Sequence, residues 1–277
     1  MQLTNKALWI IERNLGSDLT LRSIAEASGV SMFHLAHAFG AATGRSVMNY
    51  VRGRRLTEAA RTLADGAPDI LSVALEAGYA SHEAFTRAFR EQFGTTPETV
   101  KRNASLASLP LVPPLERKDD KTETLEEPEI VAHDPMFFIG LVERQAFEST
   151  HHIPAQWHKF MSMYGLIEKK KNPIPAGLSF NLDDDGTFDY ACAVEVARES
   201  EPPRELRRIS VPAQTYAVFQ HRGHVSAIGN TYLAIWNSWL IDHNRVAANG
   251  PSLERHNETF DTRTGEGGVE IWIPIVP

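Results

Sequence analysis

The sequence predicts a multidomain chain in which an all-α domain of two helix-turn-helix units precedes an α+β domain of duplicated strand-helix-strand-strand units. Three observations predict it: a helical repeat near the start, a proline- and charge-rich stretch behind it, and alternating strand and helix patterns in the remainder. We place the domains at residues 1–105 and 128–277, joined by a linker at residues 106–127. A surface loop within one domain is the alternative for that stretch, although the composition differs on its two sides.

The composition is that of an ordinary globular protein. Apolar residues make up 42% of the 277 residues and charged residues 23%, which allows a packed core. The single cysteine, Cys192, excludes a scaffold built on internal disulfides. The sequence has neither a long apolar stretch nor a basic-then-apolar start, so we expect a cytoplasmic protein without a membrane anchor.

The net charge of −7 is unevenly distributed along the chain. Residues 1–103 carry 12 basic and 10 acidic side chains, whereas the remainder carries 16 basic and 25 acidic ones. Binding to nucleic acid requires local positive charge rather than a basic whole chain, so the front half remains a candidate. The acidic back half argues against DNA contact there. It suits a cationic ligand, or simply a soluble surface.

The front half contains an internal repeat. Residues 24–44 recur as residues 73–94, with an offset of 49 up to the first glycine and 50 from the following serine onward. In each copy a short helix is predicted to end at a glycine, Gly29 or Gly78, because glycine adopts the left-handed conformation without steric cost. The second copy therefore has one extra residue in its turn.

The second helix of each copy is predicted to begin at a serine, Ser31 or Ser81, which caps the helix. Apolar residues four positions apart would pack this helix onto the first one: Leu35 with Phe39, and Phe85 with Phe89. The opposite face, near the helix start, is left for a DNA groove. This is the geometry of a helix-turn-helix with its second helix as the reader.

Residues 46–63 between the copies are predicted to form one long helix. Its apolar stripe runs from Val47 to Leu63, and arginines crowd the remaining surface: Arg52, Arg54, Arg55 and Arg61. A helix of about 18 residues spans roughly 27 Å, enough to set two reading helices about one DNA turn apart. A plain helical bundle is the alternative, but two copies at a constant offset argue against it.

Residues 4–103 resemble the DNA-binding domain of the AraC family, and residues 76–97 resemble its signature most closely. The resemblance implies double-stranded promoter DNA as a partner, and RNA polymerase as a further one. It assigns contacts with bases and phosphates to Ser31, Met32, Phe33, Ala36, His37, Ser81, His82, Glu83, Ala84, Arg87 and Arg90.

One position departs from the family pattern. His37 stands where the family usually has an arginine, and a mostly neutral imidazole lacks the fork that suits guanine. We therefore expect the first reading helix to contribute less specificity than the second, in which Arg87 is the best candidate for a base or phosphate contact. Glu83 is open to two interpretations, a helix-start acid favoured by the dipole or a reader of cytosine.

The back half shows one pattern twice. A strand, a helix and two strands are followed by the same order again, and an Asp-Gly turn at residues 183–186 predicts a hairpin in the first copy. The predicted elements of the first copy are residues 135–142, 153–169, 177–182 and 188–196, and those of the second are residues 213–220, 226–243, 253–260 and 269–276.

Residues 128–277 resemble the GyrI-like effector-binding domain through residues 188–190, 209–219, 236–240 and 269–275. The resemblance implies a hydrophobic, often cationic, small-molecule effector that binds between the two repeats against an acid. Glu254 stands where the family carries its ligand-facing glutamate, and Glu270 is the other candidate. Aromatic faces attract cations, so the candidate walls are Trp157, Tyr164, Tyr190, Phe219, Tyr232, Trp236, Trp239 and Trp272.

Together these features predict a DNA-binding regulator that responds to a small molecule and is not an enzyme. The histidine pairs at 151–152 and 221–224 lack the further ligands of a metal site, so we expect no metal and no cofactor. Two alternatives remain for the back half. One is a hydrolase whose pocket glutamate activates water, and the other is a protein-interaction module.

Overall fold

The structure is a computed structural model that describes residues 2–115, 124–261 and 264–277. These residues form two compact units. The first consists of residues 3–32 and 47–115, and the second of residues 33–46 and 124–277. Helix α3 (Met32–Thr43) therefore packs almost entirely with the second unit, although it follows the first helix of the first repeat directly in the sequence.

The first unit is all helical, as predicted, and each helix has a local reason to begin or end. Thr20 forms a capping box with Ser23, and the Ser81 hydroxyl accepts a hydrogen bond from the Ala84 amide. Gly78 has a φ of 83°, the left-handed turn that the repeat predicts. The helices are α1 (Leu3–Arg13), α2 (Leu21–Ser28), α4 (Val47–Ala64), α5 (Ile70–Glu76), α6 (His82–Phe93) and α7 (Pro97–Asn103).

One face of α6 packs into the core of the first unit. Phe85, Phe89 and Phe93 are buried there together with Leu56 and Leu63 of α4. The ring centroids of successive phenylalanines lie 5.4 and 4.7 Å apart, and the rings are inclined to each other. Because the phenylalanines fix the inner face of α6, its charged residues are turned outward.

The long helix α4 contains 18 residues, as predicted. One of its four arginines does not lie on the outer surface, and our interpretation of Arg54 as a surface residue was wrong. The Arg54 side chain is only 4% exposed and forms ion pairs with Glu12 and Glu58 at 2.9 and 2.8 Å. Residue-type patterns could not reveal this burial, because the partner Glu12 lies on a different helix.

The front of the predicted linker lies against the first unit. Leu106, Leu109 and Leu111 pack onto its core, and the Val112 amide donates a hydrogen bond to Thr57 Oγ1 at 2.9 Å. The Leu115 amide donates to the Tyr50 hydroxyl at 3.1 Å. Residues 116–123, the middle of the predicted linker, lie outside the described residues.

The second unit contains one antiparallel sheet of eight strands in the order β1-β6-β8-β7-β3-β4-β2-β5. Its two halves are related by the duplication that the sequence predicts, and β3 pairs with β7 at the centre. The strands are β1 (Glu129–His133), β2 (Met136–Ala146), β3 (Ala176–Phe180), β4 (Thr187–Glu195), β5 (Arg207–Val211), β6 (Gln214–His221), β7 (Ser252–His256) and β8 (Val269–Ile275).

Each half has one more strand than predicted. β1 and β5 precede the predicted pattern, and each pairs with the other half, β1 with β6 and β5 with β2. Both are five-residue strands at the sheet edges, with a largely exposed or alternating burial pattern. Such short edge strands carry a weak apolar signal, which is why the sequence did not predict them.

The first helix of the second unit is shorter than predicted, whereas the second helical stretch, at residues 225–242, agrees with the predicted residues 226–243. The first, α8 (Ile153–Met163), gives way to a 3₁₀ turn at Tyr164–Leu166, and Lys169 has a positive φ of 51° that ends any helical path. The second runs without interruption through α9 (Ile228–Ala234), a π-helical turn (Ile235–Trp239) and α10 (Leu240–Asp242). Among the described residues, no helix is both long and apolar enough to cross a membrane.

Candidate functional site

The carboxylate of Glu254 lies where the two halves of the sheet meet. Tyr190, on β4 of the first half, donates a hydrogen bond from its hydroxyl to Glu254 Oε2 at 2.9 Å. Tyr232, on α9 of the second half, donates to Glu254 Oε1 at the same distance. Both oxygens of the acid are therefore held by phenols, one from each repeat.

A third aromatic residue extends this arrangement. The indole nitrogen of Trp157 on α8 donates a hydrogen bond to the Tyr190 hydroxyl at 3.2 Å. The Trp157 ring centroid also lies 5.3 Å from that of His256, at the end of β7. Four of the residues proposed from the sequence, Trp157, Tyr190, Tyr232 and Glu254, thus come together in one polar chain.

Among the residues that the structure describes, Glu254 forms no ion pair, and its electrostatics are set by burial and by its two phenol donors. Burial raises the pKa of the Glu254 carboxyl, against the opposing effects of the two tyrosine hydrogen bonds and of His221. Burial and the nearby Glu254 raise the pKa of Tyr190 and of Tyr232 well above the usual value, so both are neutral donors. Among the described residues, the groups that donate hydrogen bonds to this carboxylate are these two phenols.

Gly177 is a site residue that the sequence analysis missed. It lies directly opposite Glu254 in the pairing of β3 with β7. A Cβ at this position would lie 2.4 Å from the Tyr190 hydroxyl and 2.9 Å from Glu254 Oε2. A glycine inside a strand signals such a close approach, so the sequence did contain an indication.

The second candidate acid, Glu270, faces away from this cluster. Glu254 is paired with Ile271 in the sheet, whereas Glu270 is paired with Arg255, and side chains of successive residues point to opposite faces. Glu270 Oε2 accepts a hydrogen bond from Trp272 at 2.9 Å, and Arg255 covers the Trp272 ring at 4.7 Å. Glu270 and Trp272 therefore belong to the other side of the sheet.

The remaining aromatic candidates have other neighbours. Phe219 and Trp239 pack edge to face at 4.9 Å and are buried, and Trp239 also stacks on His243. The Tyr164 hydroxyl donates to the backbone carbonyl of Pro173 at 2.5 Å. Trp236, which is only 1% exposed, contacts α3. None of these side chains hydrogen-bonds to Glu254 among the described residues.

The outer face of α6 carries the second set of DNA candidates. Glu83, Arg87 and Arg90 are exposed, whereas Ala84 is half-buried. His82 contacts Glu98 at 3.1 Å. The pKa of Glu83 is lowered by hydrogen bonds from the Glu83 backbone amide and from Ser81, as expected for an acid in the first turn of a helix.

The first set of DNA candidates, on α3, has a different environment. Ser31 is exposed and Met32 half-buried, but Ala36 is only 5% exposed. The ring of His37 lies parallel to that of Trp236, with centroids 4.5 Å apart and an interplanar angle of 9°. Phe33 packs against the same indole at 5.8 Å. Local sequence patterns could not show this, because the partner lies about two hundred residues away.

Comparison with known proteins agrees with both resemblances. The family model described as GyrI-like small molecule binding domain matches residues 126–276, and a helix-turn-helix domain model matches residues 24–103. The transcriptional regulator Rob of Salmonella typhimurium is 26% identical over 287 residues, covering 97% of this chain and 96% of Rob. The right origin-binding protein of Escherichia coli K12 is 26% identical over the same shares of the two chains.

The front half has its own relatives. The multiple antibiotic resistance protein MarA of Salmonella typhimurium is 39% identical over 87 residues, which cover 31% of this chain and 68% of MarA. The chain belongs to the GyrI-like family, and it is an AraC-type DNA-binding transcriptional regulator that carries a GyrI-like small-molecule binding domain.

Proposed function

We propose that the small molecule is a hydrophobic cation and that it binds at Glu254. The observation that carries this proposal is a carboxylate that is held by two neutral phenols and forms no ion pair among the described residues. A partly desolvated anion attracts a cation more strongly than an exposed one does, because the local dielectric constant is low.

The surroundings of Glu254 favour an apolar cation over a metal ion. Trp157, Tyr190 and Tyr232 place aromatic surface beside the acid, and aromatic faces attract organic cations. The excess of acidic residues in the back half would add a long-range attraction for positive ligands.

We further propose that Glu254 binds and does not catalyse. A general base must reach the proton of a bound water, and both Glu254 oxygens already accept hydrogen bonds from tyrosines. Turnover of an ester or amide substrate by the purified chain would contradict this proposal, whereas stoichiometric binding without turnover supports it.

We propose that the regulator acts on cytoplasmic promoter DNA together with RNA polymerase and that α6 is its main reader. The N-terminal part of a reading helix enters the groove. Arg87 and Arg90 are exposed and lie on α6 after its first turn. Ser81, His82, Glu83 and Ala84 complete this proposed contact surface. The proposed contacts on α3, from Ser31 to His37, require that helix to be accessible.

Arg87→Ala is expected to weaken binding to a selected DNA site by about 1–3 kcal/mol, because an exposed guanidinium on the reading helix contacts a base or a phosphate. The measurement is electrophoretic retardation of a site selected from random double-stranded DNA. Arg102→Ala, on α7, removes the same charge outside the reading helix and serves as the matched control. Equal losses for the two variants, or no preference for the selected site, would contradict the assignment.

Gly177→Ala is expected to weaken binding of tetraphenylphosphonium, a hydrophobic monovalent cation, by about tenfold or roughly 1.4 kcal/mol. The added methyl group would collide with the Tyr190 hydroxyl and Glu254 Oε2 and would displace the acid. The measurement is isothermal titration calorimetry on the full chain. Gly229→Ala, whose added Cβ would meet nothing within 4 Å, is the control, and an unchanged affinity of Gly177→Ala would refute the prediction.

A further inference from the structure

Helix α3 is held in the second unit by buried hydrogen bonds to the π turn at Ile235–Trp239. His34 Nε2 donates to the backbone carbonyl of Trp236 at 2.6 Å, and Asn237 Nδ2 donates to the carbonyl of Ala38 at 2.9 Å. His34 and Asn237 are 5% and 3% exposed. Because buried polar groups that lose a partner incur a desolvation cost, these two bonds specify the position of α3.

Close packing accompanies these hydrogen bonds. His37 stacks on Trp236, and Gly40 of α3 approaches Phe147 so closely that a Cβ would lie 2.5 Å from its ring. A glycine within a helix costs about 1 kcal/mol relative to alanine. The close approach of Phe147 gives a structural reason for Gly40, so the sequence of α3 suits this docked position.

His34 and His37 are also suited to the docked position of α3. Burial lowers the pKa of His34, and burial together with His34 lowers the pKa of His37 to about 3. A neutral imidazole can stack on an indole in such a dry site, whereas an arginine would remain charged there. The departure from the family pattern at position 37 thus matches the contact that His37 makes.

The docked face of α3 includes residues that were assigned to DNA. Ala36 is buried and His37 is covered by Trp236, so neither can reach a base edge while α3 occupies this position. For both reading helices to bind DNA, α3 must leave the π turn.

The π turn is directly connected to the effector site. Tyr232, which holds Glu254, precedes Trp236 by four residues in the same continuous helix, a distance of about 6 Å along its axis. π turns are rare and often occur at functional sites. A cation that binds Glu254 would compete with the Tyr232 hydroxyl for Oε1 and would thereby act on the helix that holds α3.

We propose that the π turn is a latch that withholds α3 from DNA, and that a cation at Glu254 opens it. The proposal rests on the proposed function for its second half, because it takes Glu254 as the effector site. The latch itself, the contact between α3 and the π turn, can be tested without any ligand.

The first test measures DNA affinity of the full-length chain without ligand. Asn237→Ala removes one of the latch hydrogen bonds, and Gly40→Ala adds a methyl group that clashes with the Phe147 ring and displaces α3 from its docked position. Both variants are expected to bind a selected DNA site about five- to tenfold more tightly than the wild type, since each lowers the population of the latched state. Ile241→Ala, at an exposed position of α10 just after the π turn, is the control and is expected to leave the affinity unchanged.

The second test is hydrogen–deuterium exchange on the wild-type chain with and without selected DNA. If α3 leaves the latch, peptides covering residues 235–239 lose protection when DNA binds. Unchanged protection, together with unchanged DNA affinity of Asn237→Ala and Gly40→Ala, would overturn the latch. This outcome does not depend on the identity of the effector.

The third test measures whether a cation at the effector site changes DNA affinity through the latch. Tetraphenylphosphonium is expected to raise the DNA affinity of the wild type more than that of Asn237→Ala, in which the latch is already weakened. If calorimetry shows no binding of this cation, the proposed function is refuted for tetraphenylphosphonium. The first two tests still show whether the contact between α3 and the π turn limits DNA binding. If the cation binds and leaves DNA affinity unchanged, the coupling is refuted and the proposed function stands.

Discussion

Glu254→Gln is expected to reduce the affinity for tetraphenylphosphonium by roughly 10- to 100-fold, the loss that corresponds to a charged interaction of about 1.5–3 kcal/mol. The amide keeps the size of the side chain and still accepts a hydrogen bond from one of the two tyrosines. What disappears is the negative charge. The measurement is isothermal titration calorimetry on the full chain at neutral pH.

Glu270→Gln provides the matched control for this experiment. It removes an acid from the neighbouring strand β8, on the opposite face of the sheet, where Glu270 accepts a hydrogen bond from Trp272. The net charge of the two variants is identical, so a long-range effect of the acidic surface would affect both equally. A similar loss of affinity in the two variants would show that Glu254 has no special role.

The same substitution has a second expected consequence, an increase in stability at neutral pH. Because the folded-state pKa of Glu254 is raised, the folded chain binds more protons than the unfolded chain between the two pKa values. The wild type therefore loses free energy of unfolding as the pH rises from the unfolded value through the raised one. Glutamine does not titrate, so the variant escapes this loss.

Urea unfolding of the wild type and of Glu254→Gln between pH 4 and pH 8 measures this effect. The free energy of unfolding of Glu254→Gln is expected to increase relative to that of the wild type as the pH rises. The difference between the two is therefore expected to be largest at the highest pH measured. A difference independent of pH would mean that the carboxyl is not desolvated in the folded state. Improved stability with lost binding is a common pattern where a binding site holds an unfavourable charge.

The elements that the sequence predicted correctly are those determined by neighbours in the chain. The turns at Gly29 and Gly78 follow from the conformational freedom of glycine, and α4 follows from its apolar period. The duplication of the second unit was also visible, since each half must bury a similar face. These features depend on a few consecutive residues and on general steric and packing rules.

The features that the sequence did not predict depend on distant partners. The position of α3 depends on Trp236, and the role of Gly177 depends on Tyr190 and Glu254. Of the candidate wall residues, Trp157, Tyr190 and Tyr232 belong to one hydrogen-bonded chain with Glu254. Strand alternation and helix position place them there, and the aromatic residue type alone does not reveal this. Only the fold decides which side of the sheet a side chain faces.

Arg54→Ala is expected to lower the free energy of unfolding of the first unit by about 3–5 kcal/mol, the loss typical of a buried ion pair from which one partner is removed. The Arg54 guanidinium donates to both oxygens of Glu12, to Glu58 and to the backbone carbonyl of Val112. Its side chain is 4% exposed, compared with 27% for that of Glu12. Removing it would leave a partly buried carboxylate without its cation.

The network around Arg54 extends beyond this pair. Tyr50 donates a hydrogen bond to Glu12 Oε1 at 2.6 Å and accepts one from the Leu115 amide. Although burial opposes it, hydrogen bonding to Arg54 and Tyr50 lowers the pKa of Glu12 overall, and burial together with Glu12 raises the pKa of Tyr50 to about 12. Helix α1, helix α4 and residues 112–115 are thus joined by one set of hydrogen bonds.

Arg61→Ala is the control, because Arg61 is 43% exposed and pairs only with the half-exposed Glu58 among the described residues. An exposed pair contributes about 0.2–1 kcal/mol, so the two variants should differ severalfold in urea unfolding followed by circular dichroism. Equal losses would show that Arg54 is solvated in solution. If the predicted difference is found, Arg54 stabilises α4, the helix between the two copies of the repeat, and is unavailable to DNA phosphates. The salt dependence of DNA binding must then come from the exposed arginines of α4 and α6.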